Sequence, residues 1–222
     1  MASLGRLFVN FALFGSLLAD ASPMGIEERA ASVVCTKKFS GTLSTMEMVI
    51  GEGPALGRWQ NLTINSNNEI AFRNNTTKRG IQAEFQACKP NYGGFSNNGQ
   101  NNIWAGRIYL PELKKCLAVK NPNAADQRHY VEVRACPTPS AGKDSQPYNF
   151  VASKYTQIYL EWSGITNAAK TRTQGGSSCE IGTYGYLRER YNLPVPYENN
   201  RIKLACLDNP SAASFATLKK WN

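Results

Sequence analysis

The sequence has little with which to build a metal or catalytic centre. Its single histidine is His129, and its six cysteines lie far apart rather than in close C-x-x-C pairs, so a zinc site is not expected. No G-x-S-x-G elbow is present, and carboxylates such as Glu132, Glu161 and Glu189 are isolated in sequence. We therefore expect no metal, no cofactor and no catalysis; an extracellular enzyme would need a cleft in which carboxylates cluster.

Long hydrophobic runs are also missing. The apolar run at 7–18 is shorter than the roughly 20 residues that cross a bilayer. It follows Arg6 and precedes the small residues Ala19 and Ala21, the pattern of an export signal with an A-x-A cleavage site. We predict a signal peptide at 1–21 and a secreted, extracellular mature protein without a membrane span. The segment 22–34 is either a tail or a short pro-segment that ends near Arg29.

Two further features, the cysteine count and the sequons, agree with export. The six cysteines are an even number, as expected for disulfides in an oxidising compartment. Glycosylation is predicted at the three N-x-S/T sequons, which begin at Asn61, Asn74 and Asn75. The net charge is +9, from 25 lysines and arginines against 16 acidic residues, which favours anionic partners. Because the basic residues are scattered, no nucleic-acid partner is expected.

Three segments share an alternating apolar and polar pattern that leads into a cysteine, at 81–88, 129–136 and 200–206. A large aromatic residue follows each cysteine after about 15 residues, namely Trp104, Phe150 and Trp221. These matches indicate an internal repeat. Six cysteines allow 15 pairings. The pairing that respects the repeat joins neighbours in sequence: Cys35 with Cys88, Cys116 with Cys136, and Cys179 with Cys206.

Turn residues separate the predicted strands throughout the chain. Examples are the segments at 65–68, 91–94, 97–99 and 121–123, which are rich in asparagine, glycine and proline. No long stretch has a 3.6-residue period. Short strands at regular spacing predict an all-β sandwich or barrel, and one domain at 35–222.

A threefold all-β repeat of this kind resembles the β-trefoil of ricin B-type lectins. The segment 115–119 (KCLAV) looks like the lectin CLDV strand, Cys136 follows Cys116 after 20 residues, and 146–148 (QPY) stands where Q-x-W is expected. The resemblance implies a β-trefoil of three repeats with disulfides, and carbohydrate binding in shallow pockets. The aspartate of the family's sugar pocket is replaced by Ala118, and an alanine methyl forms no hydrogen bond with a hydroxyl.

The predicted function is a secreted, lectin-like protein that binds glycans or cell-surface glycoconjugates without catalysis. Its candidate carbohydrate-binding residues are Asn121, Tyr130, Gln146 and Tyr148, although a turn explains Asn121, and core packing or strand contacts explain the others. The alternative is a secreted effector or protease inhibitor that binds a protein partner through exposed loops. The candidate partner-binding loop spans 182–196 and carries Tyr184, Tyr186, Arg188 and Arg190. The alternative for that segment, which we favour, is a loop that packs on the end of the barrel.

Overall fold

The protein is described by a computed structural model at residues 33–45, 60–72, 80–91, 97–122, 129–137, 143–155, 157–166, 172–173, 183–187, 195, 197–207 and 212–219. Within these ranges the regular structure consists of β-strands and short 3-10 turns, so the predicted all-β class is confirmed. No helix in these ranges is long and apolar enough to cross a membrane.

The strands follow one another closely along the chain. In chain order they are β1 (Val34–Ser44), β2 (Thr63–Ile64), β3 (Ile70–Ala71), β4 (Gln82–Lys89), β5 (Ile103–Leu110), β6 (Lys115–Lys120), β7 (Tyr130–Arg134), β8 (Phe150–Lys154), β9 (Ile158–Trp162), β10 (Ile165–Thr166), β11 (Arg172–Thr173), β12 (Tyr184–Leu187), β13 (Leu204–Cys206), β14 (Ala212–Ala213) and β15 (Ala216–Lys219). The described 3-10 turns are Gln100–Asn102, Lys143–Tyr148 and Glu198–Asn200.

Six of these strands form a closed ring in which every neighbour is antiparallel. The order around the ring is β1, β4, β5, β8, β9 and β15, and β15 pairs with β1 to close it. The ring strands alternate between the interior and the surface, as in β4, where Ala83, Phe85 and Ala87 are buried. The interior holds a single hydrophobic cluster that includes Phe85, Phe150 and Trp162.

Three shorter strand pairs lie in sequence between the ring strands: β2–β3, β6–β7 and β12–β13. They meet one another in a cyclic arrangement, which we call the hairpin junction. Three isolated bridges link them in turn: Glu69 with Glu132, Tyr130 with Lys203, and Arg201 with Ala71. Three backbone hydrogen bonds follow the same cycle: Val133 to Asn68 (2.8 Å), Leu204 to His129 (2.8 Å), and Phe72 to Asn200 (2.9 Å).

The hairpin junction corrects the predicted register of the repeat. Segments 129–136 and 200–206 do occupy corresponding places, because both enter the junction in the same way. Segment 81–88 does not, since most of it forms the ring strand β4. Residues 68–72 take its place in the junction. Because this segment does not lead directly into a cysteine, the pattern that ends in a cysteine did not identify it.

Two predicted disulfides are confirmed. Cys35 bonds to Cys88 across the β1–β4 pair, where the two residues are directly opposite. Cys116 on β6 bonds to Cys136, just beyond β7. Cys206 is also disulfide-bonded. Its predicted partner, Cys179, lies outside the described residues.

Candidate functional site

The position that would carry a sugar-binding aspartate is inaccessible. Ala118 lies on β6 opposite Glu132 and is fully buried. A carboxylate at this position would lose its contact with water beside another carboxylate, which is costly. A sugar pocket of the ricin B type is therefore not formed around β6.

The four predicted sugar-binding residues do not converge on an open surface. Tyr130 and Gln146 are buried, and Tyr148 is half-buried. The carbonyl of Gln146 accepts a hydrogen bond from Trp162 Nε1 at 3.1 Å, so its backbone connects a turn to the ring. Asn121 is exposed at a left-handed turn position with φ 53°, and its carbonyl accepts a 3.0 Å hydrogen bond from His129 Nδ1. These contacts agree with structural roles.

The prediction that Tyr184 and Tyr186 lie in an exposed partner-binding loop is wrong. Tyr184 and Tyr186 lie on β12, and both have no exposed surface. Alternate residues of a strand point to the same side, so both rings enter the hydrophobic cluster. The Tyr184 ring packs 4.9 Å from that of Trp162. Arg188 and Arg190 lie outside the described residues.

One predicted glycosylation site has a defined environment. Asn61 is half-buried, and its Oδ1 accepts a 3.1 Å hydrogen bond from the Ser44 hydroxyl. Gly80 lies against it, since a Cβ at Gly80 would come within 2.7 Å of the Asn61 Cβ. Asn74 and Asn75 lie outside the described residues, and glycosylation stays a prediction.

Sequence analysis missed a buried ionic group on the outer side of the hairpin junction, and we call it the junction cluster. At its centre is Glu69, whose side chain is 1% exposed. Glu69 Oε1 lies 3.3 Å from Lys120 Nζ and 3.6 Å from Arg201 Nη1. The other oxygen accepts a 3.4 Å hydrogen bond from Asn65 Nδ2. The buried carboxylate is therefore neutralised by cations from two other strand pairs, which links all three.

Aromatic rings extend the junction cluster towards the surface. The Arg201 guanidinium lies 4.0 Å above the centre of the Tyr130 ring, a cation–π geometry. The ring centres of Tyr130 and Tyr197 lie 6.3 Å apart in an edge-to-face arrangement. Lys203 Nζ lies 5.4 Å from the centre of the Tyr197 ring. Because these rings are engaged by protein cations, we assign the cluster a structural role. Its members are far apart in sequence, and only the shared strand positions of 69, 130 and 201 would have revealed it.

A second aromatic group is open to solvent, at the turn between β8 and β9. Tyr155 is 66% exposed, the largest value among the exposed large hydrophobic residues of the described chain. Its ring centre lies 6.3 Å from that of Tyr159, with a tilt of 55° between the planes. The Tyr155 amide donates a 3.1 Å hydrogen bond to the Gln157 carbonyl, which holds the turn. We call Lys154, Tyr155, Gln157 and Tyr159 the aromatic turn.

The aromatic turn and the hairpin junction lie at opposite ends of the ring. Trp162, at one end of β9, packs 5.3 Å from His129 of the junction. Ile158 begins the same strand beside the aromatic turn. From Ile158 to Trp162 the extended strand rises by four residue steps, which is about 13 Å. A ligand on the aromatic turn would therefore not touch the junction cluster.

The aromatic turn also has polar neighbours. Ser153 lies directly across from Tyr159 in the β8–β9 pair and is half-buried. Lys154 is exposed and forms no ion pair within the described part of the chain. The surface thus offers an apolar ring face next to the hydroxyl of Ser153. Such a combination suits a ligand that is part apolar and part polar.

Neither a metal site nor a similarity to known proteins assigns a function to the chain. No group of three or more histidine, cysteine, aspartate or glutamate side chains in the described ranges is placed to hold a metal ion. No protein family model, no curated protein and no solved structure matches the chain. The observations that bear on function are therefore the strand pairing and the aromatic turn.

Proposed function

We propose that this chain is a secreted, non-catalytic β-trefoil protein, a divergent relative of the ricin B-type lectins, that binds carbohydrate through the aromatic turn. The proposed ligands are glycans or cell-surface glycoconjugates. Secretion is supported by the signal-like sequence at 1–21 and by two disulfides between described cysteines.

The order of strand pairing supports the trefoil. Each third of the chain contributes two ring strands that pair with each other, as in β1–β4, β5–β8 and β9–β15. Between them in sequence lies one strand pair of the hairpin junction. Neighbouring thirds then join through β4–β5, β8–β9 and β15–β1. A trefoil of three repeats, with a β10–β11 insertion in the last, accounts for this pattern.

The single observation that carries the proposed binding function is the exposure of Tyr155 beside Tyr159. The Tyr155 ring presents a flat apolar face to solvent beside a second tyrosine ring, and an aromatic side chain with a polar tip is well suited to stack on a ligand that is part apolar and part polar. A sugar presents C–H groups on one face and hydroxyls around its edge. The tyrosine rings match the face, while the hydroxyl of Ser153, directly across from Tyr159, offers a hydrogen bond to the edge.

The proposed site differs from the family's usual pocket. Around β6, Ala118 and Tyr130 are buried, so no sugar reaches them. The aromatic turn lies on the ring instead, at the far end from the hairpin junction. The scaffold is therefore proposed to be shared with lectins, while the binding surface is not.

A glycan array tests this proposal. The protein without residues 1–21 is enzymatically deglycosylated, so that its own glycans do not compete, and its fold is checked by circular dichroism. We expect reproducible binding to one class of glycan. A blank array from folded, disulfide-bonded protein would overturn carbohydrate binding.

Two variants and one control locate the site. Tyr155→Ala and Tyr159→Ala should each weaken binding about tenfold, since an aromatic residue at a binding hot spot contributes at least 1–2 kcal/mol. Leu113→Ala is the matched control, because Leu113 is also exposed (47%) but lies in the turn between β5 and β6. Isothermal titration calorimetry with the glycan found on the array provides the measurement. Unchanged affinity in both tyrosine variants would place the site elsewhere.

A further inference from the structure

Strand β1 has two halves with different partners. Its last residues, 42–44, pair with β15 and complete the ring. Its first eight residues, 34–41, pair with β4 only, and no other described strand lies along their second edge. Five of these eight residues are exposed, including Thr36, Lys38 and Ser40. The β1–β4 ribbon therefore extends beyond the β1–β15 pairs, and its second edge is unpaired within the described residues.

Such an edge presents regularly spaced backbone hydrogen-bonding groups. In an antiparallel pair, about half of the N–H and C=O groups of each strand point away from the partner strand. An extended peptide can bind these groups as an additional strand, a common mode of peptide recognition. Eight residues are enough for several such hydrogen bonds.

The edge is also held in place before any ligand arrives. The Cys35–Cys88 disulfide crosslinks β1 to β4 within this half of the strand. Phe39 packs 6.3 Å from Phe85 and 5.0 Å from Trp104, which anchors the strand to the hydrophobic cluster. A strand that is already ordered loses little conformational entropy when a peptide binds to it.

The charges along the ribbon select the kind of peptide. Lys37 is paired with Glu84 at 2.9 Å, and Arg107 donates a 2.8 Å hydrogen bond to Gln86. Burial lowers the pKa of the Arg107 guanidinium below its ordinary value. Lys38 differs from both. It is exposed, it has no partner residue in the β1–β4 register because a bulge occurs there, and no described carboxylate pairs with it.

Lys38 also disfavours pairing between two copies of this strand. Lys37 and Lys38 of each copy would lie near those of the other, and like charges on adjacent strands repel. Lysine on an exposed edge is a common protection against self-association. A peptide with carboxylates would be attracted instead, in keeping with the net charge of +9.

We propose that the outer edge of β1, at residues 34–41, binds an extended acidic peptide segment of a protein partner as an additional antiparallel strand, with a carboxylate next to Lys38. This goes beyond carbohydrate binding and uses a different surface from the aromatic turn. It identifies a protein-binding surface that the sequence did not predict, since the predicted Tyr184 and Tyr186 are buried.

The test uses a fluorescein-labelled peptide of eight residues in which valine and glutamate alternate. Fluorescence anisotropy with the disulfide-intact protein without residues 1–21 should give saturable binding. A second peptide has the same sequence but with alternate amides N-methylated, so that one edge has lost its donors. We expect it to bind at least about tenfold more weakly, because backbone hydrogen bonds provide much of the affinity in this binding mode.

Charge variants of the protein complete the test. Lys38→Glu should weaken binding of the unmodified peptide by about three- to tenfold, through repulsion. Lys114→Glu changes the net charge equally but lies in the turn before β6, so it should have little effect. Amide signals of 34–41 should shift in NMR spectra when the peptide is added. The proposal is overturned if the peptide does not bind at 1 mM, if the N-methylated peptide binds equally well, or if the two charge variants behave alike. Because Tyr155→Ala should bind the peptide normally, failure here is distinguishable from failure of the glycan site.

Discussion

The inner and outer sides of the hairpin junction are built in different ways from corresponding positions. On the inner side, Ile70, Val131 and Ile202 are all branched aliphatic residues, all are buried, and all belong to the same hydrophobic cluster. On the outer side, the residues one position earlier are chemically unrelated: Glu69, Tyr130 and Arg201. One side of the junction is repetitive and the other is not.

The difference follows from what each side must satisfy. The inner side chains face one apolar interior, so residues of similar size and shape suit all three positions. On the outer side, the Arg201 guanidinium contacts both the Glu69 carboxylate and the Tyr130 ring. Such a set works because its members differ. The corresponding positions of the hairpin junction are therefore similar on the inner side and dissimilar on the outer side.

The inner side should contribute most to stability. Ile202→Ala leaves a cavity in the hydrophobic cluster and should lower the free energy of unfolding by about 2–5 kcal/mol. Ile70→Ala, at the corresponding position, should cost a similar amount. Urea denaturation followed by tryptophan fluorescence measures both. If one variant loses less than about 1 kcal/mol while the other loses the expected amount, the two positions are not packed alike.

The ionic part of the outer side should contribute less. Removing one member of a buried ion pair costs about 3–5 kcal/mol when the partner stays buried. Here Lys120 and Arg201 are 40% and 23% exposed and can turn towards water, so we expect Glu69→Gln to cost about 1–2 kcal/mol. Glu198→Gln is the control, since Glu198 also pairs with Arg201 but is 84% exposed. Equal losses in the two variants would contradict a special role for the buried carboxylate.

The aromatic part should have the smallest effect. Tyr130→Leu removes the ring beneath Arg201 and should cost about 1 kcal/mol. Tyr130→Phe keeps the ring and should change stability by no more than about 0.5 kcal/mol. A double-mutant cycle with Arg201→Met isolates the contact. A coupling energy near zero would mean that the stacked geometry adds nothing to packing.

Local patterns in the sequence were enough for the class of fold and for part of the crosslinking. Alternation and turn residues predicted an all-β chain, and two disulfides follow the sequential pairing. The repeat register was wrong in the first third because a cysteine served as the guide. Cys88 crosslinks two ring strands, whereas Cys136 follows a junction strand, so cysteines at similar spacing hold different parts of the structure.

The candidate site was harder to predict, because exposure is decided by distant parts of the chain. Tyr184 and Tyr186 alternate around a glycine, which is typical of a strand with one buried face. The tyrosine and arginine content of the segment indicated a binding loop instead. Glu69 and Arg201 meet although 132 positions separate them in the sequence, and no local pattern connects them. Tyr155 lies in the turn after β8 and is exposed, whereas Tyr159 lies on β9 between two paired strands and is half-buried.

Closure of the ring has a consequence for biosynthesis. Ser44 of β1 pairs with Thr217 of β15. Strand β1 is synthesised first, and it can form this pair only after β15 has been synthesised. At about 5–20 residues per second, the ribosome needs roughly 10–35 s to supply the intervening chain. During that time β1 can pair with β4 and form the Cys35–Cys88 bond, but its inner end has no second neighbour. Disulfide formation can therefore begin early, while the ring itself closes only after β15 has been made.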